Sequence, residues 1–153
     1  MIEKIISGGQ TGVDRAGLDV AIELGLLHGG FIPAGRLAED GMVPLKYDLI
    51  ELASRNYPVR TRANIREADG TLILTPPPPL SRGTRLTCRL AQEMKKPWWA
   101  ADPRNPASLE KVVTWIRGID PRVLNVAGPR ESKVPGIHEI SLQFLRKVFR
   151  ELG

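Results

Sequence analysis

Ser7-Gly8-Gly9-Gln10-Thr11-Gly12-Val13-Asp14-Arg15 is the stretch of this chain best suited to chemistry, and the chemistry is anion binding. Ile2, Ile5 and Ile6 precede it as a short apolar strand pattern, and a helical pattern follows it. A Gly-rich turn between strand and helix lets backbone approach a ligand closely. The helix start adds unpaired N–H groups at the positive end of the dipole. The turn is neither a Walker loop, because Gly-Lys-Ser/Thr is missing, nor the dinucleotide pattern Gly-x-Gly-x-x-Gly, because Gly8 and Gly9 are adjacent. Phe31-Ile32-Pro33 stands where a ribose-binding acid would end the second strand. A tight strand–helix turn without a ligand would use the same glycines. Asp14 suits either dipole compensation or acid/base work, and Arg15, placed against the dipole preference, suits phosphate contact.

Four further clusters carry polar chemistry. Pro33 to Gly41 holds Arg36, Glu39 and Asp40, which read as a self-satisfied surface loop or as the overhang of a ligand crevice. Arg60-Thr61-x-x-Asn64 begins a helix with donors suited to phosphate, or simply with a cap and a solvated face. Gly83-Thr84 opens another helix after the run Pro76 to Pro79, offering a second helix N-terminus or an N-cap threonine alone. Gly128-Pro129-Arg130-Glu131-Ser132 follows a buried strand, and Arg130 supplies a bidentate fork for an anion.

The elements that must position these residues alternate between strand and helix. Val13, Gly17, Val20, Ala21 and Leu24 keep helical spacing over Gly12 to Leu26, widened by Leu18 and Ile22 into the face of a helix lying on a sheet. Gly29 to Ile32 reads as a second strand, and Lys46 to Tyr57 as irregular or a short helix. Arg60 to Ala68 reads as helix, Gly70 to Leu74 as strand, and Gly83 to Lys95 as helix. Trp98 to Ala101 and Arg122 to Val126 read as strands. They bracket the helix marked by Leu109, Val112, Val113 and Ile116, and a last helix runs from Ile140 to Leu152. Such alternation predicts a single α/β domain over 1–153: a doubly wound, Rossmann-like, mostly parallel sheet of five to six strands with helices on both faces. Ligands of such sheets lie beyond the carboxyl ends of the strands, so the strand-end clusters are expected to face one crevice.

Composition narrows the class. The 153 residues are 42% hydrophobic and 25% charged, as in ordinary globular domains, and the net charge of +5 favours anionic partners. Basic residues are spread out, so nucleic acid is not indicated. Cys88 is alone and only His28 and His138 supply imidazole, which gives no recognisable metal spacing. Neither a signal peptide nor a membrane-length apolar run is visible, so a cytoplasmic location is expected. No Ser-His-Asp or Cys-His arrangement stands out, and no catalytic residue is assigned.

Taken together, these motifs resemble the molybdenum-cofactor carrier family: Ser7 to Ala16, Pro33-x-Gly35-Arg36-x-x-Glu39-Asp40-Gly41, Arg60-Thr61-x-x-Asn64, Ala68-Asp69-Gly70-Thr71 and Asn125-x-Ala127-Gly128-Pro129-Arg130-Glu131-Ser132. The match runs in order through nearly the whole chain. That family is similar to the wider group of Rossmann-like domains containing the Lonely Guy-type nucleotide phosphoribohydrolases. The resemblance implies a homo-oligomer, dimer or tetramer, that binds molybdenum cofactor, a phosphorylated pterin whose metal arrives held by the pterin. It implies molybdoenzymes as partners, and anion-binding parts at Gly8 to Gly12, at Gly83-Thr84 and at Gly128 to Ser132. The phosphoribohydrolases carry Pro-Gly-Gly-x-Gly-Thr before a catalytic Glu. Here Leu80-Ser81 replaces the paired glycines and Thr87 stands at the acid's place, which argues against that hydrolysis. The alternative is an enzyme or sensor acting on an AMP-like nucleotide or nucleotide sugar, with Asp14, Asp40 or Glu131 as its acid/base.

Overall fold

The computed structural model describes residues 1–153. Its elements in chain order are β1 (Lys4–Ile6), α1 (Val13–Leu24), β2 (Leu27–Gly29), β3 (Phe31–Ile32), β4 (Leu37–Ala38), β5 (Gly41–Met42) and β6 (Ile50–Glu51). The chain continues with α2 (Tyr57–Glu67), β7 (Gly70–Leu74), α3 (Arg82–Glu93), β8 (Trp98–Ala101), α4 (Ser108–Ile119), β9 (Val123–Ala127) and α5 (Ile137–Leu152).

Five of the strands form one sheet in the order β2-β1-β9-β7-β8, and every pairing in it is parallel. Alternation along the strands divides their side chains between two faces. Ile5, Leu72, Leu74, Leu124 and Val126 join Val13, Ala16 and Val20 of α1, Val112 and Ile116 of α4, and Leu142, Leu145 and Val148 of α5 in the main core. The other face meets α2 and α3 over a much smaller cluster of Ile65, Leu90 and Ala91. The fold is thus the doubly wound, Rossmann-like sheet that the alternation predicts, with five strands.

The small apolar store on the α2/α3 side has a consequence. Thr71 and Asn125 occupy that face at the sheet's centre, where Asn125 Nδ2 donates to Thr71 Oγ1 at 3.2 Å. Polar side chains there leave room for a cleft floor where a closed core would need aliphatics.

The structure departs from the sequence reading at the second strand. Gly29 to Ile32 is not one strand: β2 joins the main sheet beside β1, while β3 leaves it to pair with β6. Gly30 makes the break. Its φ of +127° suits glycine, and a Cβ there would lie 2.0 Å from the Ser7 carbonyl oxygen. From that point residues 31–51 form a small subdomain holding Ile32, Val43, Tyr47 and Leu49 against Leu18 of α1. The Pro33–Pro44 stretch includes the antiparallel pair β4–β5, and Lys46 to Tyr57 is irregular apart from β6 and the first residue of α2. No helix is long and apolar enough to cross a membrane.

Candidate functional site

The carboxyl ends of β9 and β7 set the site. The chain leaving β9 leads to α5 on one face, and the chain leaving β7 leads to α3 on the other. A crevice must open where neighbouring strands send their helices to opposite sides. A cleft of about 1200 Å³ lies there, bounded by the β1 and β9 turns, the first turns of α2 and the N-terminal half of α3. Arg60, Arg82, Arg85, Arg89, Arg130 and Lys133 line it, and Asp14 is its single acid.

The floor is the turn after β1. Ser7 Oγ donates to the Asp14 carbonyl at 2.9 Å and accepts the Gly9 N–H at 3.3 Å, which ties the turn to the helix it feeds. Asp14 Oδ2 accepts the Gln10 N–H at 3.2 Å and lies 3.4 Å from Arg60 Nη1. Arg60 crosses from α2 to reach the Gly8 carbonyl at 3.1 Å. Any side chain at Gly8 would collide with it, since a Cβ there would sit 1.8 Å from Nη1. Arg60 Nε is buried and has no protein partner. Burial raises the Asp14 carboxyl from 3.8 to about 6, and the favourable charges of Arg60, Arg15 and Arg130 and the Gln10 N–H only partly oppose it. Asp14 therefore holds its proton to a higher pH than an ordinary aspartate does.

The opposite wall is the start of α3. Ser81, not Thr84, is its N-cap: Ser81 Oγ accepts the Thr84 N–H at 3.3 Å and donates to Thr84 Oγ1 at 2.8 Å. The N–H groups of Arg82 and Gly83 have no protein acceptor, the usual state of a first helical turn. Thr87 faces the cleft with its hydroxyl donating to the Gly83 carbonyl at 3.1 Å, so the α3 wall presents donors and cations but no carboxylate.

The residues singled out in the sequence divide into two groups. Gly8, Gln10, Asp14, Arg60, Asn64, Gly83, Thr84, Gly128 and Arg130 line the cleft. Gly9, Thr11, Gly12, Arg15, Arg36, Glu131 and Ser132 lie outside its lining. Arg15 is held by Asp40 through bonds of 2.5 and 2.8 Å and by the Gly9 carbonyl at 3.1 Å. Arg36 donates to the carbonyls of Leu49, Pro44 and Tyr47, which makes it the clasp of the small subdomain. Glu131 caps the start of α5 by accepting the N–H groups of Gly136 and His138. Glu39 takes the hydroxyls of Thr11 and Ser132 and the Ser132 N–H. Desolvation alone would raise the Glu39 carboxyl, but these bonds and Arg130 hold it below its ordinary value. Gly9 and Gly12 shape the turn with positive φ and meet Leu49 and Pro129.

Asn64 touches the cleft, yet its amide is already spent. Oδ1 accepts the Phe31 N–H at 2.9 Å and Nδ2 donates to the Phe31 carbonyl at 3.1 Å, so the side chain fastens α2 to β3 as an adjoining strand would. Seven cleft residues escaped the sequence reading: Tyr57, Pro58, Arg82, Arg85, Leu86, Arg89 and Lys133. The arginines recur at i, i+3 and i+7, a charged stripe on one face of α3 that could have been read from spacing. Tyr57 falls in the segment whose structure the sequence leaves open.

The model of the circularly permutated YpsA SLOG family matches residues 5–149. A crystal structure from Syntrophus aciditrophicus SB, of a protein named "Putative molybdenum carrier protein", is similar to the chain at 43% identity. The alignment covers 96% of this chain and 94% of that one, with a TM-score of 0.89. No curated protein matches.

Proposed function

The chain belongs to the circularly permutated YpsA SLOG family, and from that premise we propose that it is a carrier binding molybdenum cofactor in the cleft between α2 and α3. The observation that carries this reading is the lining of the cleft: six cationic side chains against one acid at the carboxyl edge of a parallel sheet. A ligand phosphate finds there the free N–H groups of Arg82 and Gly83, the guanidinium of Arg130 and the ammonium of Lys133. The buried, unpartnered Nε of Arg60 is a further donor in the wall. The name of the Syntrophus protein supports molybdenum as the cargo. A pterin that carries its own metal asks the protein only for anion and ring contacts, and the cleft residues are of that kind.

Anaerobic titration of the protein with released molybdenum cofactor, repeated with excess AMP, tests the proposal. Tight binding that AMP does not displace is the expected result. Weak binding, or ready displacement by AMP, would overturn it in favour of a nucleotide-derived ligand.

Asp14 favours a second reading, an enzyme acting on a nucleotide derivative. A buried carboxyl with its pKa pushed up to about 6, beside the floor of an anion cleft, has the properties of a general acid/base. Incubation with AMP and with ADP-ribose, followed by chromatography for freed base, separates the two. Turnover lost in Asp14→Asn would establish the enzyme, and no product from either compound would remove it.

A further inference from the structure

Tyr57 is the one aromatic side chain in the cleft wall, and it belongs to none of the hydrophobic core clusters. It is 41% exposed, whereas Phe144 and Tyr47, which serve the core and the subdomain, are 5% and 4% exposed. Its hydroxyl has no hydrogen-bond partner, and its carbonyl accepts from Thr61 Oγ1 at 3.1 Å. An exposed tyrosine at the mouth of a cationic cleft has a chemical reading: an aromatic face offered to a flat ring.

Three features hold that face in place. Tyr57 is the first residue of α2, and Pro58 follows it with its φ already set for the helix. The Arg60 guanidinium lies over the ring, with Cζ 5.4 Å from the centroid. Arg60 in turn is anchored on the Gly8 carbonyl and on Asp14. The ring is therefore linked through one cation to the turn that floors the cleft. A rigid aromatic loses little conformational freedom when a ligand settles on it.

We infer that Tyr57 is the stacking platform for the planar heterocycle of the ligand, with the phosphate end directed to the first turn of α3 and to Arg130. This rests on the reading of the cleft as a site for a phosphorylated small molecule, and adds the element that sorts such molecules. The α3 wall and Arg130 recognise any phosphate ester. Tyr57 admits preferentially those that end in a flat heteroaromatic ring, whether pterin or purine, and gives no advantage to a bare sugar phosphate.

The test is a titration of wild type, Tyr57→Phe and Tyr57→Ala with three probes: 6-hydroxymethylpterin phosphate, AMP and ribose 5-phosphate. Stacking on a protein aromatic is lost on truncation to alanine. The expected result is that Tyr57→Ala binds the tighter of the two heterocycles about 5- to 150-fold more weakly. Ribose 5-phosphate binding should be unchanged by either substitution, and Tyr57→Phe should retain the heterocycle. Equal weakening of all three probes, or no weakening of any, overturns the assignment. Wild type that binds ribose 5-phosphate as tightly as both heterocycles also overturns it, while leaving the phosphate cleft intact. Wild type that binds none of the three overturns the cleft reading itself, and the Tyr57 assignment with it.

Discussion

The stability of Asp14→Asn relative to wild type should rise with pH, standing higher at pH 8 than at pH 5. The native carboxyl is raised from 3.8 to about 6, chiefly by burial, while in the unfolded chain it returns to its ordinary value. At roughly 1.4 kcal/mol per decade, that difference makes folding about 3 kcal/mol less favourable with the carboxyl ionised than with it protonated. Between about pH 4 and 6 the native state holds a proton that the unfolded state has lost, so unfolding free energy falls as pH rises through that window and is level above it. The cost is full at pH 8 and about half as large at pH 5. Asparagine carries no charge at either pH, so its stability relative to wild type should be higher at pH 8 than at pH 5 by about half of that cost. Whatever the amide loses at the Gln10 N–H is present at both pH values and cancels, as do all titrations elsewhere in the chain. Urea unfolding of both proteins at the two pH values, followed by circular dichroism, gives the difference directly. The same stability change at pH 5 and pH 8 would show that Asp14 does not titrate near 6, and would also remove the case for it as an acid/base.

Arg130→Ala should weaken binding of a phosphate ester by about 1.5–3 kcal/mol, the worth of a hydrogen bond to a charged group. Its unfolding curve should stay close to wild type, because the side chain is partly exposed and its nearest acid, Glu39, is 4.0 Å away; unchanged affinity in calorimetry would detach Arg130 from the site. Asn64→Leu strips Phe31 of both its amide partners and should cost about 2–6 kcal/mol in urea unfolding, since each polar group left unpaired costs about 1–3 kcal/mol. A stable variant would show that the α2–β3 clasp does not hold the cleft wall. His138 is raised above 6.5 by its 2.7 Å bond to Asp19, so the pair's contribution is fully present below 6.5 and is lost as pH rises through the higher native value. His138→Gln should flatten that decline in melting temperature between pH 6 and 9, and a curve parallel to wild type would refute the pairing.

The order of the helices and of the main-sheet strands β1, β7, β8 and β9, the Gly-rich turn after β1 and the polar strand ends were legible in the sequence, because each rests on local rules. Apolar spacing sets the period of an element, and glycine or proline marks its end. Gly70 to Leu74 and Trp98 to Ala101 are strands at the bounds the pattern predicts. The sharing of polar side chains among competing partners was not legible. Arg15, Arg36, Asn64 and Arg60 look alike as phosphate donors in a linear chain. The tertiary structure gives Arg15 to Asp40, Arg36 to three carbonyls and Asn64 to Phe31, and sets Arg60 into the cleft wall. Gly30 likewise divides one apparent strand between two sheets because the Ser7 carbonyl approaches it from a distant part of the chain. Composition and periodicity determine which groups are available near the sheet's edge. Only the packed chain decides which of them are already satisfied and which are left to meet a ligand, because that depends on contacts between residues far apart in sequence.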